Sequence, residues 1–475
     1  MIRSKTLISS LCLVLFARGG TMVGRDSPAP LSPVAWVGDT LARLDTTSPA
    51  DSSLLAATPA GEEGARVSLS FVVDSLVRVD DPTGSLLPFF NLLDRLLDGE
   101  REVVSIVHLG DSHVQAGFLS GRVMRLLHAR YGNAGRGWIA PFRLGRSNEP
   151  DDYRVASPVK EWTLGRCVQR PWRCPVGPGG IGLLTPAAAV RLDVSVTPVN
   201  GSGYAFNQLV LYRGEESAPL YPVVPPGERL GESLFVRDAL PAFSLPELTP
   251  LPGPVEGMVT DTFRLESLAD HLTLASRPLP PADPPPVGRY VNLYHGMNLT
   301  NGQPGVLYHA VGVNGARFSD YTSEEYLARL AALQPALLIV SLGTNESFEG
   351  NFTPARFEEQ VNAFIALVKQ RMPRTALLLT TPPECYRRAT INRRRVYIRN
   401  NNTEKAARVL AKVAADHGLA CWDLFRATGG KESCKRWWGE GLMGKDRIHF
   451  TKRGYDEQGI LLFNALTNPR TRRTP

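Results

Sequence analysis

The chain has 475 residues, too long for one small domain and enough for two or three. A hydrophobic share of 43% and a charged share of 21% exclude wholesale disorder and a collagen-like fibre. The 53 Lys and Arg against 46 Asp and Glu leave a net charge of +7, which favours anionic surroundings. No RNA- or DNA-binding motif accompanies that charge, so no nucleic-acid partner is expected.

The chain opens on a basic pentapeptide, Met1-Ile-Arg-Ser-Lys5, and the apolar stretch Thr6–Ala17. Ala17-Arg18-Gly19 is a loose small-x-small cleavage pattern, so residues 1–25 read as a secretory signal peptide. That predicts an exported protein, periplasmic or extracellular. Leu11 stands where a lipoprotein signal needs a small residue before Cys12, which argues against lipidation. No apolar run reaches the roughly 18 residues of a membrane-spanning helix, so no transmembrane segment is expected in the mature chain. Residues 26–80 are rich in Ser, Pro, Ala and Asp and read as a linker, with one apolar run at Val67–Val73.

Residues 81–150 change pattern. Leu92–Leu97 reads as a short helix, Val103–Leu109 as a buried strand, and Val114–Tyr131 as a helix with apolar Leu119, Val123, Leu126 and Leu127. Residues 151–290 alternate instead, in Val190–Val196 and Gln208–Tyr212, with Gly and Pro as frequent punctuation. This predicts an all-β region, a jelly-roll or other β-sandwich. It ends in the proline-rich connector Leu279–Val287.

From 291 to 468 the αβ alternation resumes. Strands are expected at Leu307–Val313, Ala336–Leu342, Thr375–Thr381 and Leu419–Leu424. Helices are expected at Ser323–Leu333, Pro354–Arg371, Thr403–His417 and Arg453–Leu466. Residues 469–475 form a basic tail. Strands alternating with helices predict a parallel sheet covered on both faces, a three-layer α/β/α architecture. Its first strand and helix precede the β region and the rest follow it, so the β region is an insertion.

Beyond the leader, five cysteines remain. Cys167 and Cys174 could close a small loop in an oxidising compartment, and Cys385, Cys421 and Cys434 are spaced too irregularly for a zinc site. No metal or organic cofactor is expected.

Sites in parallel α/β sheets form at the carboxyl ends of strands. The first strand ends in Gly110-Asp111-Ser112-His113, where a Ser at a helix start has an exposed Oγ and amides favouring an oxyanion. The second ends in Gly312-Val-Asn-Gly315, whose glycine lets an N–H approach a ligand. The third ends in Gly343-Thr-Asn345-Glu346, whose amide can donate to an oxyanion. Near the C-terminus, Asp446-x-x-His449 can place a general base and its orienting carboxylate in one pocket. Each piece alone also reads as a helix cap, a turn or surface polarity.

The ordered set of Gly110-Asp-Ser112, Gly315, Gly343-x-Asn345 and Asp446-x-x-His449 resembles the SGNH hydrolases, the GDSL-type esterases. The resemblance covers the α/β part almost end to end and leaves the insertion aside. Two departures are His113, where many members carry Leu, and Glu346, where Asp is more usual. The resemblance implies a serine esterase with Ser112 as nucleophile, His449 as base and Asp446 orienting it. It also implies an oxyanion hole of the Ser112 and Gly315 amides and the Asn345 side chain.

An exported domain of this kind split by a β-rich insertion is similar to the bacterial peptidoglycan O-acetylesterases, with a carbohydrate-binding-like module inserted. That implies an acylated carbohydrate or peptidoglycan substrate. The run Tyr131–Trp138 puts Arg136 and Trp138 forward as cleft residues, and Trp437 and Trp438 precede the Asp446–His449 turn. All four suit sugar rings or carboxylates, and all four suit packing. Arg387-Arg388 and Arg393-Arg394-Arg395 could hold an anionic glycan or be solvated surface. Three functions remain open: an O-acetylesterase, a sugar O-acetyltransferase of the same fold, and an idle glycan-binding protein. A monomer is expected.

Overall fold

The computed structural model describes residues 69–197, 203–223, 257–276, 292–468 and 471, with the backbone alone at 234–237. The signal peptide with Cys12, the linker up to residue 68, the proline-rich connector and all of the basic tail but Thr471 lie outside the described residues.

Five strands form a parallel sheet: β1 (Val103–Gly110), β2 (Gly305–Gly312), β3 (Leu337–Ser341), β4 (Ala376–Thr380) and β5 (Ala420–Trp422). Their order is β2-β1-β3-β4-β5, with every pair parallel. Runs such as Val103-Val-Ser-Ile-Val make such strands because branched side chains suit a pleat buried on both faces. The two-residue period then divides them. Val104, Ile106, Leu337, Ile339 and Leu378 enter one apolar core, and Val107, Leu109, Leu338, Val340 and Leu379 enter the other.

Each core is closed by helices. Phe118–Tyr131 and Lys452–Thr467 cover the first, through Val123, Leu127, Leu461 and Leu462. Pro354–Arg371 and Asn401–Asp416 cover the second, through Val361, Phe364, Val409 and Leu410. The sequence reads Val114–Tyr131 as one helix. It is two, Ser112–Gln115 and Phe118–Tyr131, because Gly117 breaks the run at φ +76°.

Between β1 and β2 in the chain lie two antiparallel sheets. The larger runs, in spatial order, Thr163–Arg166, Ile181–Thr185, Asn292–Thr300, Phe206–Gly214, Met258–Ala269 and Leu234–Arg237, with Gly137–Ile139 added on Asn292–Thr300. The smaller runs Tyr153–Ala156, Arg191–Val196, His271–Ser276 and Leu220–Pro222. Their inner residues, Leu192, Val194, Leu209, Leu211, Phe263 and Leu274, share one apolar cluster, as in a sandwich. A bidentate ion pair, Arg213 Nε to Asp261 Oδ2 at 2.6 Å and Nη2 to Oδ1 at 3.1 Å, is buried within it.

Three boundaries differ from the sequence reading. Asn292–Thr300, placed in the resumed α/β part, is a central strand of the antiparallel sheet. Residues 69–80, placed in the linker, are packed: Val77 and Val79 are buried, and Asp80 exchanges two 2.8 Å backbone bonds with Cys421, covering the open edge of β5. Tyr386–Ile391 and Arg394–Arg399, read as arginine runs, form an antiparallel hairpin. Cys167 and Cys174 are separate buried thiols, and with Cys385, Cys421 and Cys434 all five described cysteines are free and buried.

Candidate active site

The register of the sheet brings the sequence motifs together. Gly110 pairs with Gly312 on one side and with Ser341 on the other, so β1, β2 and β3 end at one level. A 2-1-3-4-5 order reverses direction between β1 and β3, and a crevice opens at such a switch point. The turns after these three strands carry Ser112, Gly315 and Asn345.

The nucleophile turn is set by packing. A Cβ on Gly110 would lie 2.4 Å from Val114 Cγ2, and one on Gly312 would lie 2.2 Å from the backbone N of Gln115. Two bare backbones therefore let the short helix Ser112–Gln115 sit directly on the strand ends. Asp111 caps it, with Oδ1 accepting from the His113 N–H at 2.9 Å.

Ser112 Oγ lies 2.8 Å from His449 Nε2, and His449 Nδ1 lies 2.7 Å from Asp446 Oδ2. Asp446 Oδ1 accepts from the backbone N–H groups of Ile448 at 3.0 Å and His449 at 3.1 Å. Burial opposes the charge on Asp446, but the His449 hydrogen bond and these amides hold its carboxyl below its ordinary value. Arg447, at φ +56°, makes the turn that lets Asp446 and His449 face one another. The turn is held by the Gly444 N–H donating to the His449 carbonyl at 2.7 Å, and it leads into the helix that Thr451 caps.

His113 is buried and packs its ring 5.3 Å from that of His449, with Nδ1 2.9 Å from Tyr455 Oη. Burial, reinforced by the neighbouring imidazole, pushes its pKa down to about 3, so it stays neutral beside His449.

Gly315 adopts φ +83°, the left-handed conformation its turn requires. Sequence reasoning missed the residues that hold this turn. Gln115 Oε1 accepts from the Asn314 N–H at 2.7 Å, its Nε2 donates to Ser147 Oγ and Asn148 Oδ1 at 2.9 Å, and Asn314 Nδ2 donates to Asn148 Oδ1 at 2.7 Å. The only sequence signal was a polar Gln on the buried side of the nucleophile helix. Neither the Ser112 nor the Gly315 N–H meets a protein acceptor among the described residues.

Asn345 also reaches the crevice, but its amide is engaged. Nδ2 donates to Asp111 Oδ2 and to the Ala316 carbonyl, each at 3.0 Å. Burial raises Asp111 to about 6, against the opposing pull of the His113 amide. Burial raises Glu346 to about 8, so at neutral pH it is protonated while its Oε1 accepts from the Phe318 N–H.

The structure corrects three of the four suggested substrate contacts. Arg136 is buried, with Nε 2.7 Å from Asp152 Oδ2 and its guanidinium over the Tyr153 ring at 5.1 Å. Trp138 is buried against Tyr212 with ring centres 5.2 Å apart. Trp437 is buried, its Nε1 donating to the Thr428 carbonyl and its ring packed on Phe450. Trp438 alone is exposed, at 47%. No cluster of three metal-ligating side chains occurs among the described residues, and no described helix is long and apolar enough to cross a membrane.

Residues 280–457 match the model of the GDSL-like lipase/acylhydrolase family. A solved peptidoglycan O-acetylesterase is similar in structure, at 20% identity over 82% of this chain and 97% of that one, with a TM-score of 0.62. A putative acylhydrolase from Bacteroides fragilis is similar at 20% identity over 35% of this chain and 76% of that one (TM-score 0.27). A GDSL-like lipase from Bacteroides thetaiotaomicron is similar at 19% identity over 34% and 75% (TM-score 0.26). No curated protein matches the sequence. The fold and the family model together define an ester-hydrolysing α/β enzyme. Residues 280–457 carry the GDSL-like lipase/acylhydrolase match, and the architecture around them is that of an SGNH-hydrolase fold.

Proposed function

We propose that this enzyme is an exported serine esterase that removes O-acetyl or other short acyl groups from a carbohydrate, with Ser112, His449 and Asp446 as its triad. One observation carries the assignment of roles: the continuous relay from Ser112 Oγ through His449 to Asp446 at the carboxyl end of the sheet.

In this scheme His449 Nε2 takes the Ser112 proton as Oγ attacks the ester carbonyl. The tetrahedral oxyanion is received by the Ser112 and Gly315 N–H groups. Asn345 joins them by exchanging its bond to Asp111 or Ala316 for one to the oxyanion. The imidazolium, steadied by Asp446, then gives its proton to the leaving sugar oxygen. The acyl group remains on Ser112. Water, deprotonated by His449, attacks it; the carboxylic acid leaves and the serine proton returns.

The carbohydrate substrate is supported by the overall likeness to a peptidoglycan O-acetylesterase, which extends through the inserted sheets. The chain in that case acts outside the cytoplasm, in keeping with the signal-like sequence of residues 1–25. The test is the hydrolysis of p-nitrophenyl acetate, butyrate and octanoate, beside acetate release from O-acetylated peptidoglycan. A steep fall with chain length together with acetate release supports the assignment. A preference for octanoate with no release from the glycan contradicts it.

A further inference from the structure

The hairpin Tyr386–Arg399 takes no part in the relay, yet it is tied to the turn that carries it. The Tyr386 N–H donates to the Arg447 carbonyl at 3.0 Å, and Tyr397 Oη donates to the Lys445 carbonyl at 2.7 Å. Both acceptors flank Asp446.

The hairpin's charge is unusual. Arg387, Arg388, Arg393, Arg394 and Arg395 are exposed, and none makes an ion pair among the described residues. At the base, by contrast, Arg399 is neutralised by Glu384 and Glu404. On the helix that follows the hairpin, exposed Lys412 and Arg408 have carboxylate partners. Five uncompensated cations on a two-stranded ribbon repel one another, and a polyanion laid along the ribbon removes that repulsion.

The register says which of them act together. Arg388 pairs with Tyr397 and Thr390 with Arg395, so Arg388, Tyr397 and Arg395 share one face of the ribbon. On that face the Arg447 guanidinium lies 4.5 Å from the Tyr397 ring and 4.4 Å from the Trp438 ring. Trp438 remains 47% exposed. The result is a strip of arginine, stacked aromatic and arginine that ends at the Asp446–His449 turn.

We propose that this strip is a docking surface for a carboxylate-bearing glycan strand, with Arg388 and Arg395 pairing to carboxylates and Trp438 stacking on a sugar ring. This deepens the esterase reading, because a strand held there presents its esters beside His449. Arginine suits carboxylates through its planar fork, and an indole suits the apolar face of a pyranose. An anionic membrane would ask for several apolar side chains at the tip, and Ile391 is the one large apolar side chain exposed on the hairpin.

The test measures binding of the full chain to polygalacturonate, to neutral pullulan and to phosphatidylglycerol vesicles, at low and high salt. Arg388→Gln/Arg395→Gln, Trp438→Ala and Ser112→Ala are compared, with circular dichroism melting as the check of folding. Polygalacturonate should bind, salt should weaken it, and pullulan should not bind. The double arginine substitution should weaken binding about tenfold. Trp438→Ala should also weaken it, and Ser112→Ala should leave it unchanged. Absence of binding, binding equal in all folded variants, or a loss confined to the vesicles would overturn the proposal. Binding does not depend on turnover, so a failed esterase assay beside retained, arginine-dependent binding would remove the esterase reading and leave this one.

Discussion

Burial of histidines should make the fold sensitive to mild acid. His108, His113, His128, His295 and His309 are buried, and burial pushes each pKa down to about 3. In the unfolded chain each titrates near about 6.5. Their contribution is therefore complete above that value and is lost as pH falls toward the folded value. Three carboxyls act in the opposite sense. Burial holds Asp111 at about 6, Glu149 at about 7 and Glu346 at about 8, so their protonated forms favour the folded state in the same interval. Near pH 5.5 the unfolded chain then binds about two protons more than the folded one. Summed from about pH 6.5 to about pH 5, the loss is about 3 kcal/mol. Urea unfolding followed by tryptophan fluorescence at several pH values reads this directly. The midpoint should fall steeply between neutrality and pH 5. His128→Leu should flatten the slope by about one proton, or about 1.4 kcal/mol per pH unit. A midpoint that is flat or rises on acidification would refute the reasoning.

Other substitutions report on separate parts of the molecule. Asn345→Ala should lower kcat for p-nitrophenyl acetate about 100- to 1,000-fold with little change in KM, measured by steady-state kinetics. Gly312→Ala puts a Cβ 2.2 Å from Gln115 N, so the nucleophile helix must move; the same assay should record a loss of at least about tenfold. Arg213→Met strands the Asp261 carboxylate inside the antiparallel sheet and should cost about 3–5 kcal/mol in denaturant unfolding. Arg213→Met/Asp261→Leu should recover most of that loss.

Much of the α/β layer was legible because its signals are local. Val103–Leu109 is a branched apolar run bounded by Gly110, and Pro354–Arg371 begins at a threonine cap with proline in its first turn. Three of the site motifs were legible because each follows a strand end, where the parallel register draws them together, and Asp446-x-x-His449 was legible by its spacing near the C-terminus. What failed was long-range. Asn292–Thr300 reads as the resumption of the αβ pattern because nothing in its own residues tells of Phe206–Gly214 beside it. Arg136 and Trp138 look like ligand contacts in a glycine-rich loop. Their burial depends on Asp152 and Tyr212, which the sequence alone does not bring near. The arginine runs at 387–395 hide a hairpin because charge masks the alternation of Ala389 with Ile391 and of Val396 with Ile398. Likewise, no local pattern reveals that Gln115 and Asn148 brace the Gly315 turn.

The most direct measurement is to trap the acyl-enzyme. The full chain is mixed with p-nitrophenyl acetate, quenched in acid within the first turnovers, digested and mapped by mass spectrometry. The proposed triad requires one acetyl group on the peptide that carries Ser112, none in Ser112→Ala, and accumulation slowed in His449→Ala. Acetylation elsewhere, or turnover that survives Ser112→Ala, would contradict Ser112 as the nucleophile.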